Sequence, residues 1–297
     1  MFTEYKRMDS SEGNVWKYIF ESSECIAESV LYKYGSFEKR TVICCSVQSG
    51  CPVGCTFCGT GKKFVRNLNE DEIIQQIQIV IEDMNINTYK INKFQIMFMS
   101  MGEPMLNWDA VEGAIRNLNN NYPNAQLLLS TIGVEDIQVQ QKIINLSKEV
   151  KMVGLQFSIH EAMDEKRNRL IPFKNKMNLK KIRDYGITWH LATGRYPYLN
   201  YCVTHENSSK NEINELKNLF SAMIFNFTFS VVCSKDESMK NVGFREHNYI
   251  QSVMNEFLEE GYNCRMFDPA GQDDIGGGCG QLWYVQQWLN NYKCINK

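Results

Sequence analysis

Three cysteines, Cys51, Cys55 and Cys58, stand in the run Gly50-Cys51-Pro52-Val53-Gly54-Cys55-Thr56-Phe57-Cys58. Three thiolates on one short loop can hold three irons of a 4Fe–4S cluster. The fourth iron then stays open to a small molecule that binds there and takes an electron. A structural zinc would need a fourth Cys or His in a paired spacing, and none lies near this loop. Accidental clustering in a core segment would not call for Gly50 and Gly54 among the cysteines, so the pattern points to one-electron chemistry. A further thiol, Cys279, sits in Gly276-Gly277-Gly278-Cys279-Gly280, where missing side chains leave the sulfur accessible. A structural cysteine prefers packed apolar neighbours, and this one has none in sequence.

The chain has 297 residues and 43% hydrophobic content, enough for one large domain or two small ones. A formal charge of −2 does not indicate a strongly basic nucleic-acid binder, although local patches remain compatible with it. The N-terminal run Met1-Phe2-Thr3-Glu4-Tyr5-Lys6-Arg7 lacks a secretory pattern, and no apolar run is long enough to span a bilayer. Eleven cysteines without a signal sequence read as reduced thiols. The expectation is a soluble cytoplasmic protein without a membrane partner.

Short apolar runs alternate with amphipathic ones. Strands are expected at Thr41–Val47, Phe94–Ser100, Gln126–Ser130, Val153–Ile159, Tyr198–Val203 and Phe225–Val232. Helices are expected at Glu70–Met84, Trp108–Asn117, Asp136–Lys148, Leu179–Tyr185, Lys210–Met223 and His247–Glu260. In the first helix Asn69 is the expected cap, and Ile73, Ile74, Ile77 and Ile81 form the apolar stripe. Such alternation builds a parallel sheet with right-handed crossovers, so the fold class is α/β, a partial (β/α)6 barrel. Residues 1–40 read as an N-terminal β-hairpin extension, Val15–Phe20 and Cys25–Tyr32 around Glu21-Ser22-Ser23-Glu24. Residues 41–297 read as the barrel with a glycine-rich C-terminal loop and a helix from Gln281 to Tyr292. In such barrels chemistry gathers at the C-terminal strand ends. The cysteine loop, Met101-Gly102-Glu103-Pro104, Ser130-Thr131-Ile132-Gly133 and Ser158-Ile159-His160 all follow strands and so share one rim.

The ordered set of Cys44, Gln48-Ser49-Gly50-Cys51, Cys55, Cys58-Gly59-Thr60-Gly61, Arg66-Asn67-Leu68, Met101–Pro104, Leu129-Ser130-Thr131, Ser158–His160, Asp273-Asp274-Ile275 and Cys279-Gly280-Gln281-Leu282 resembles the radical SAM adenosine methyltransferases of the RlmN/Cfr type. The likeness is collinear from about Trp16 to Leu282, and the terminal Cys-Gly-Gln-Leu narrows it from the radical SAM superfamily to this family. It implies a radical SAM barrel with a 4Fe–4S cluster on Cys51, Cys55 and Cys58. S-adenosylmethionine would bind the open iron and be cleaved to a 5′-deoxyadenosyl radical in a dry pocket. The implied activity is methylation of an adenine ring carbon, carbon 2 or carbon 8, in rRNA or tRNA. A flavodoxin- or ferredoxin-type protein would donate the electrons.

The resemblance also implies individual roles. Gly102 and Glu103 would hold the methionine end of S-adenosylmethionine, where Gly-Glu-Pro taken alone would be a simple turn. Ser130, Ser158, Ile159 and His160 match positions that contact the cofactor. Cys279 would carry the methyl group, and Cys44 would release the product by forming a transient disulfide with it. From the residues alone, Cys44 and Cys45 lie on opposite faces of one strand and periodicity does not choose between them. Glu28 matches a glutamate that accepts a proton in the family, although by itself it reads as a solvated hairpin residue. Cys25, Cys202, Cys233, Cys264 and Cys294 read as packing residues.

Lys166, Arg167, Arg169, Lys174, Lys176, Lys180, Lys181 and Arg183, with Lys62, Lys63 and Arg66 beside the cysteine loop, suggest a phosphate-backbone footprint around the pocket mouth. An adenine in folded RNA would have to be unstacked to reach that pocket. The chain departs from the family pattern in three places. Only residues 1–40 precede the first expected barrel strand where family members usually carry an N-terminal RNA-binding domain, the Lys174–Asn200 segment is compact, and no asparagine stands after the sixth strand in Val231-Val232-Cys233-Ser234. Two alternatives share parts of these motifs: a radical SAM methyltransferase acting on something other than RNA, and a non-catalytic iron–sulfur sensor.

Overall fold

The computed structural model describes residues 1–61, 63–231, 247–268, 271, 274–278 and 280–295. Three N-terminal strands, β1 (Glu4–Asp9), β2 (Val15–Glu21) and β3 (Ile26–Lys33), form an antiparallel meander. Its third strand pairs with β4 (Thr41–Cys45) and leads into a parallel run of β4, β7 (Phe94–Phe98), β8 (Ala125–Thr131), β9 (Val153–Ser158), β10 (Tyr198–Cys202), β11 (Asn226–Ser230) and β12 (Cys264–Phe267). The result is one open, ten-stranded sheet in the order β1-β2-β3-β4-β7-β8-β9-β10-β11-β12. Between β4 and β7 a separate two-stranded ribbon pairs β5 (Gln48–Gly50) with β6 (Phe64–Asn67).

Helices α1 (Glu70–Asp83), α2 (Trp108–Asn121), α3 (Ile137–Glu149), α4 (Asp164–Leu170), α5 (Leu179–Thr193), α6 (Lys210–Leu219) and α7 (His247–Glu259) make the crossovers, and α8 (Tyr284–Ile295) follows the last strand. The α/β partial barrel expected from the alternating pattern is therefore present. The parallel run has one strand more than the six expected. β12 has only four half-buried residues, too short for a periodicity signal. β1 escaped notice for a related reason: Glu-Tyr-Lys-Arg-Met-Asp is an exposed edge strand with no buried face to impose alternation.

Local chemistry explains the element ends. Asn69 caps α1 by accepting from Glu72 N, and Glu72 returns the contact in a capping box. Ile73, Ile74, Ile77 and Ile81 of that helix are buried in the main core. α5 runs on to Thr193, eight residues past the expected stop at Tyr185. Gly186 is there for packing, since a Cβ on it would come within 2.5 Å of the Phe225 ring. The helix ends instead at Gly194, which takes the left-handed conformation at φ 71°. The polar α4, Asp-Glu-Lys-Arg-Asn-Arg-Leu, carried no apolar stripe to announce it.

Three apolar clusters pack against the sheet, one of them joining Ile19, Ile26 and Met101 to Val285 of α8. The largest fills the space between the sheet and its helices. A smaller one inside the barrel joins Val30, Tyr32, Val42, Cys44 and Met97 to Ile275 and Leu282 of the C-terminal segment. The tail thus packs into the barrel mouth. No helix among the described residues is long and apolar enough to cross a membrane.

Candidate active site

The cysteine loop is closed at its base by the β5–β6 ribbon, and Cys51 N donates to Lys63 O at 2.9 Å. Gly50 lies at φ 76°, and a Cβ there would stand 1.7 Å from Lys63 O, so only glycine fits. Thr56 N donates to Leu170 O at 2.9 Å, which ties the loop to the end of α4. Cys51, Cys55 and Cys58 line one cavity of about 160 Å³ together with Cys44, Gly102, Glu103, Ser130, Ser158, His160, Asn200 and Cys202.

These residues fit a 4Fe–4S cluster. Burial pushes the Cys51 thiol up to about 12, and burial together with the neighbouring Cys58 and Cys51 raises Cys55 well above its ordinary value. Such thiols stay neutral until a cation displaces their protons. No three Cys, His, Asp or Glu side chains among the described residues converge as ligands of a single ion. The cube places each thiolate on its own iron, so splayed sulfurs around one cavity suit it and not a lone zinc.

Opposite the cysteines, Gly102 lies at φ 98°, and a Cβ on it would approach Gln48 Cβ to 2.7 Å and Gln48 N to 2.8 Å. Gln48 Oε1 accepts from Glu103 N at 2.9 Å. The Glu103 carboxylate accepts from Thr131 Oγ1 at 2.5 Å, Ile132 N at 2.9 Å and Met105 N at 3.0 Å. Burial raises its pKa to about 7 despite these donors. Ser130 Oγ accepts from Gln156 Nε2 at 3.1 Å, leaving its own hydrogen for the cavity.

His160, between β9 and α4, is buried and holds the left-handed conformation at φ 58°. Its Nδ1 accepts from Cys202 N at 3.2 Å, which leaves the proton on Nε2. Burial and the nearby Arg167 hold its pKa down at about 3. A histidine neutral in the fold and protonated in the open chain stabilises the fold fully above pH 6.5, and this contribution is lost as pH falls toward 3. The cluster-free protein is expected to lose about 2 kcal/mol between pH 6.5 and 5 from this group. His160→Gln should remove that slope in urea midpoints, and an unchanged slope would refute the assignment.

Ile159 differs from expectation. Its side chain is fully buried in the main core and absent from the cavity wall, because it points to the helix side of the sheet while Ser158 and His160 flank the mouth. Only its backbone faces polar partners, with N donating to Asn200 O at 3.0 Å. Glu28 is also not a solvated hairpin residue. It is fully buried, in an ion pair of 2.6 Å with the equally buried Lys17. It faces the tail because it shares the inward face of β3 with Val30 and Tyr32, which line the cavity. Of the two adjacent cysteines, Cys44 lines the cavity and Cys45 belongs to the main core. Cys202, expected to be packing, also reaches the cavity. Asn200 and Tyr32 in the wall escaped sequence reading. Their signal was the period of two that sets Asn200 beside Cys202 and Tyr32 beside Val30.

Cys279 lies outside the described residues, as do Lys62, Asp273 and the Val232-Cys233-Ser234 stretch after the sixth expected strand. The neighbours of Cys279 are described. Gly278 and Gly280 both line the cavity. Gly59 N donates to Gly280 O at 2.6 Å, and Thr60 Oγ1 donates to Leu282 O at 2.8 Å. The residue after Cys58 is thus bonded to the residue after Cys279. Lys17 Nζ donates to Gly276 O at 3.0 Å, Tyr32 Oη to Gly277 O at 2.5 Å, and Tyr284 N to Glu28 Oε1 at 2.9 Å. The N-terminal meander and the cysteine loop grip the tail from two sides.

The expected basic footprint is altered. Arg167 is fully buried and donates to the carbonyls of Ile132 (2.6 Å), Met177 (2.8 Å), Ile159 (3.2 Å) and Ser158 (3.3 Å), clamping the ends of β8 and β9. Arg66 is held by Glu72 at 2.7 Å. Lys166 pairs with Glu212, Arg169 with Glu165, Lys181 with Glu135 and Arg183 with Asp184, while Lys176 donates to Asn168. Lys174 and Lys180 are exposed. Helical proximity in sequence could not reveal that one cation of the run turns inward. Arg167→Met should cost about 2–4 kcal/mol, because four carbonyls lose their donor. Urea unfolding measures it, and a loss below about 1 kcal/mol would show that the carbonyls find other donors.

The radical SAM superfamily profile matches residues 45–196, the stretch from the cysteine loop through α5. A probable dual-specificity RNA methyltransferase RlmN from Finegoldia magna is 32% identical over 288 residues, covering 93% of this chain and 77% of that protein. The chain belongs to the RlmN family of radical SAM enzymes. A second RlmN relative, from Pseudothermotoga lettingae, is 32% identical over 287 residues, covering 92% of this chain and 77% of its own length. Membership agrees with the resemblance read from the motifs, and with it the 4Fe–4S cluster and S-adenosylmethionine as cofactors. The fold agrees independently. The crystal structure of a radical SAM methyltransferase from Sphaerobacter thermophilus superposes with a TM-score of 0.79 at 24% identity, covering 93% of this chain and 79% of that one.

Proposed function

We propose that this chain methylates a ring carbon of adenine, carbon 2 or carbon 8, in rRNA or tRNA, with Cys279 as methyl carrier and Cys44 as resolving thiol. The observation that supports this most strongly is the Gly59–Gly280 hydrogen bond of 2.6 Å, which ties the tail to the cysteine loop beside a cavity that Cys44 also lines. The reaction takes place in the cytoplasm, with electrons from a flavodoxin- or ferredoxin-type protein.

The cluster on Cys51, Cys55 and Cys58 supplies, when bound, the single electron that opens S-adenosylmethionine. Gly102 leaves room for the methionine end of the cofactor, and the Glu103 carboxylate accepts its ammonium. Ser130 and Ser158 offer hydroxyls and His160 its Nε2 proton, while Ile159 contributes backbone only. The Cys279 thiolate attacks the methyl of one S-adenosylmethionine. A carbon–sulfur bond forms as the sulfonium bond breaks, and S-adenosylhomocysteine leaves with the electron pair. The methyl carbon would lose a hydrogen atom to the 5′-deoxyadenosyl radical from a second S-adenosylmethionine and bond to the adenine ring; Glu28 would accept the ring proton, and the odd electron would return to the cluster. The Cys44 thiolate then attacks the Cys279 sulfur: the disulfide forms, the sulfur–carbon bond breaks, and the carbon keeps the pair and takes a proton. A dithiol reductant returns the two thiols.

Cluster-loaded, reduced protein incubated with S-adenosylmethionine and RNA, followed by digestion to nucleosides, should yield methyladenosine. Unmodified nucleosides alongside abundant 5′-deoxyadenosine would overturn the proposal.

A further inference from the structure

At the opposite end of the barrel from the cysteine loop lies a second cavity of about 240 Å³, larger than the 160 Å³ beside the cysteines. Its wall carries four cations, Lys93, Lys151, Arg195 and Arg265, and among the described residues no Asp or Glu. Three of them stand just before parallel strands: Lys93 before β7, Lys151 before β9 and Arg195 before β10. Arg265 lies on β12, with its guanidinium 4.3 Å from the Tyr198 ring centroid. A fifth cation, Arg40, donates to Gln95 Oε1 of the same wall at 3.1 Å.

None of the five is paired with a carboxylate among the described residues. Arg195 spends its terminal nitrogens on the carbonyls of Ser147, Lys151 and Val153, yet its Nε is buried with no acceptor. Burial, with Arg40 and Arg265 nearby, holds the Lys93 ammonium below its ordinary value. Like charges gathered in a partly desolvated mouth repel one another, and an anion entering the cavity would relieve that repulsion.

The wall also has a wired floor. Arg265 Nε donates to Thr228 Oγ1 at 2.8 Å, and its Nη2 donates to Gln156 Oε1 at 3.2 Å. Thr228 Oγ1 donates in turn to Gln156 Oε1 at 3.2 Å. Both donors fix the amide with its oxygen toward Arg265, so Gln156 Nε2 faces Ser130 in the other cavity. Gln156 in the wall of this cavity is thus hydrogen-bonded to Ser130 in the wall of the other.

We propose that the barrel floor is a binding site for a compact polyanion of the diphosphate class, held chiefly by Arg265, Lys93 and Lys151. Arginine matches phosphate oxygens as a two-pronged donor, and the lysines add point charge at the rim. A recessed mouth between strand ends suits a small terminal phosphate group better than a continuous phosphodiester strand. The site is independent of the methyl-transfer reading, since it needs no residue of that chemistry.

The test is calorimetric titration of the cluster-loaded full chain with inorganic pyrophosphate at fixed ionic strength. Saturable one-to-one binding is expected, weakened about tenfold in Arg265→Gln, the loss of one charge-assisted contact. The pair Lys93→Gln/Lys151→Gln, at the rim of the mouth and outside the apolar core, should weaken it similarly and guards against misfolding of the Arg265 variant. Absence of saturable binding, or affinity unchanged in both variants, would overturn the site. Displacement of pyrophosphate by a short oligonucleotide without terminal phosphates would overturn its assignment to a compact ligand.

Discussion

Replacing Cys44 by alanine is expected to leave the first methyl transfer to Cys279 intact and to stop turnover at a covalent adduct between protein and RNA. The reason is positional. Cys44 lies on β4 opposite Val30 of β3 and Met97 of β7, on the face that lines the cavity, and is 5% exposed. The Gly59–Gly280 bond keeps the tail against the same cavity. Without a thiolate at that point, nothing displaces carbon from the Cys279 sulfur. A denaturing gel should show labelled RNA retarded with the protein, and product should fall below one equivalent. Cys45→Ala is the matched control. Its sulfur is fully buried in the main core, so the change should cost packing stability and leave turnover in place. Free product in multiple turnovers from Cys44→Ala would sink this role.

Lys17→Met is expected to destabilise the protein by about 3–5 kcal/mol, the cost of leaving a buried carboxylate without its partner. Both members of the Lys17–Glu28 pair are 0% exposed. Lys17 also donates to Gly276 O and Gln281 O and lies 4.7 Å from the Tyr284 ring centroid, while Glu28 accepts from Tyr284 N. The pair therefore joins the N-terminal meander to the segment that carries Cys279. Burial raises the Glu28 carboxyl above its ordinary range, and Lys17 opposes that rise. The double variant Lys17→Met/Glu28→Gln should recover most of the loss, because the amide keeps an acceptor for Tyr284 N and carries no charge. Urea unfolding of the two single variants and the double variant completes the cycle. Additive losses would mean that the pair does not act as a unit.

Much of the barrel and of its reactive rim was readable from residue order. Phe94, Ile96 and Phe98, Ala125, Leu127 and Leu129, and Val153, Leu155 and Phe157 put an apolar residue at every second position for the helix-covered face, and the amphipathic helices between these short runs are the mark of a parallel sheet. Cys51, Cys55 and Cys58 are close in sequence, so their spacing alone brings the thiols onto one loop, and Gly102 and Glu103 follow a strand end that had to meet it. Local spacing could not say which neighbours a side chain would meet across the fold. Cys44 and Cys45 alternate by the same rule, and only the pairing of β4 between β3 and β7 turned the first toward the cavity and the second into the core. Glu28 read as a solvated hairpin residue until the tail, more than 240 residues away in sequence, closed over it and its partner Lys17. Arg167 sat in a run of cations and yet turned inward, because the carbonyls at the ends of β8 and β9 needed donors that no neighbouring backbone could supply. Periodicity and spacing act over a few residues; burial and charge pairing depend on segments that meet only when the chain is folded.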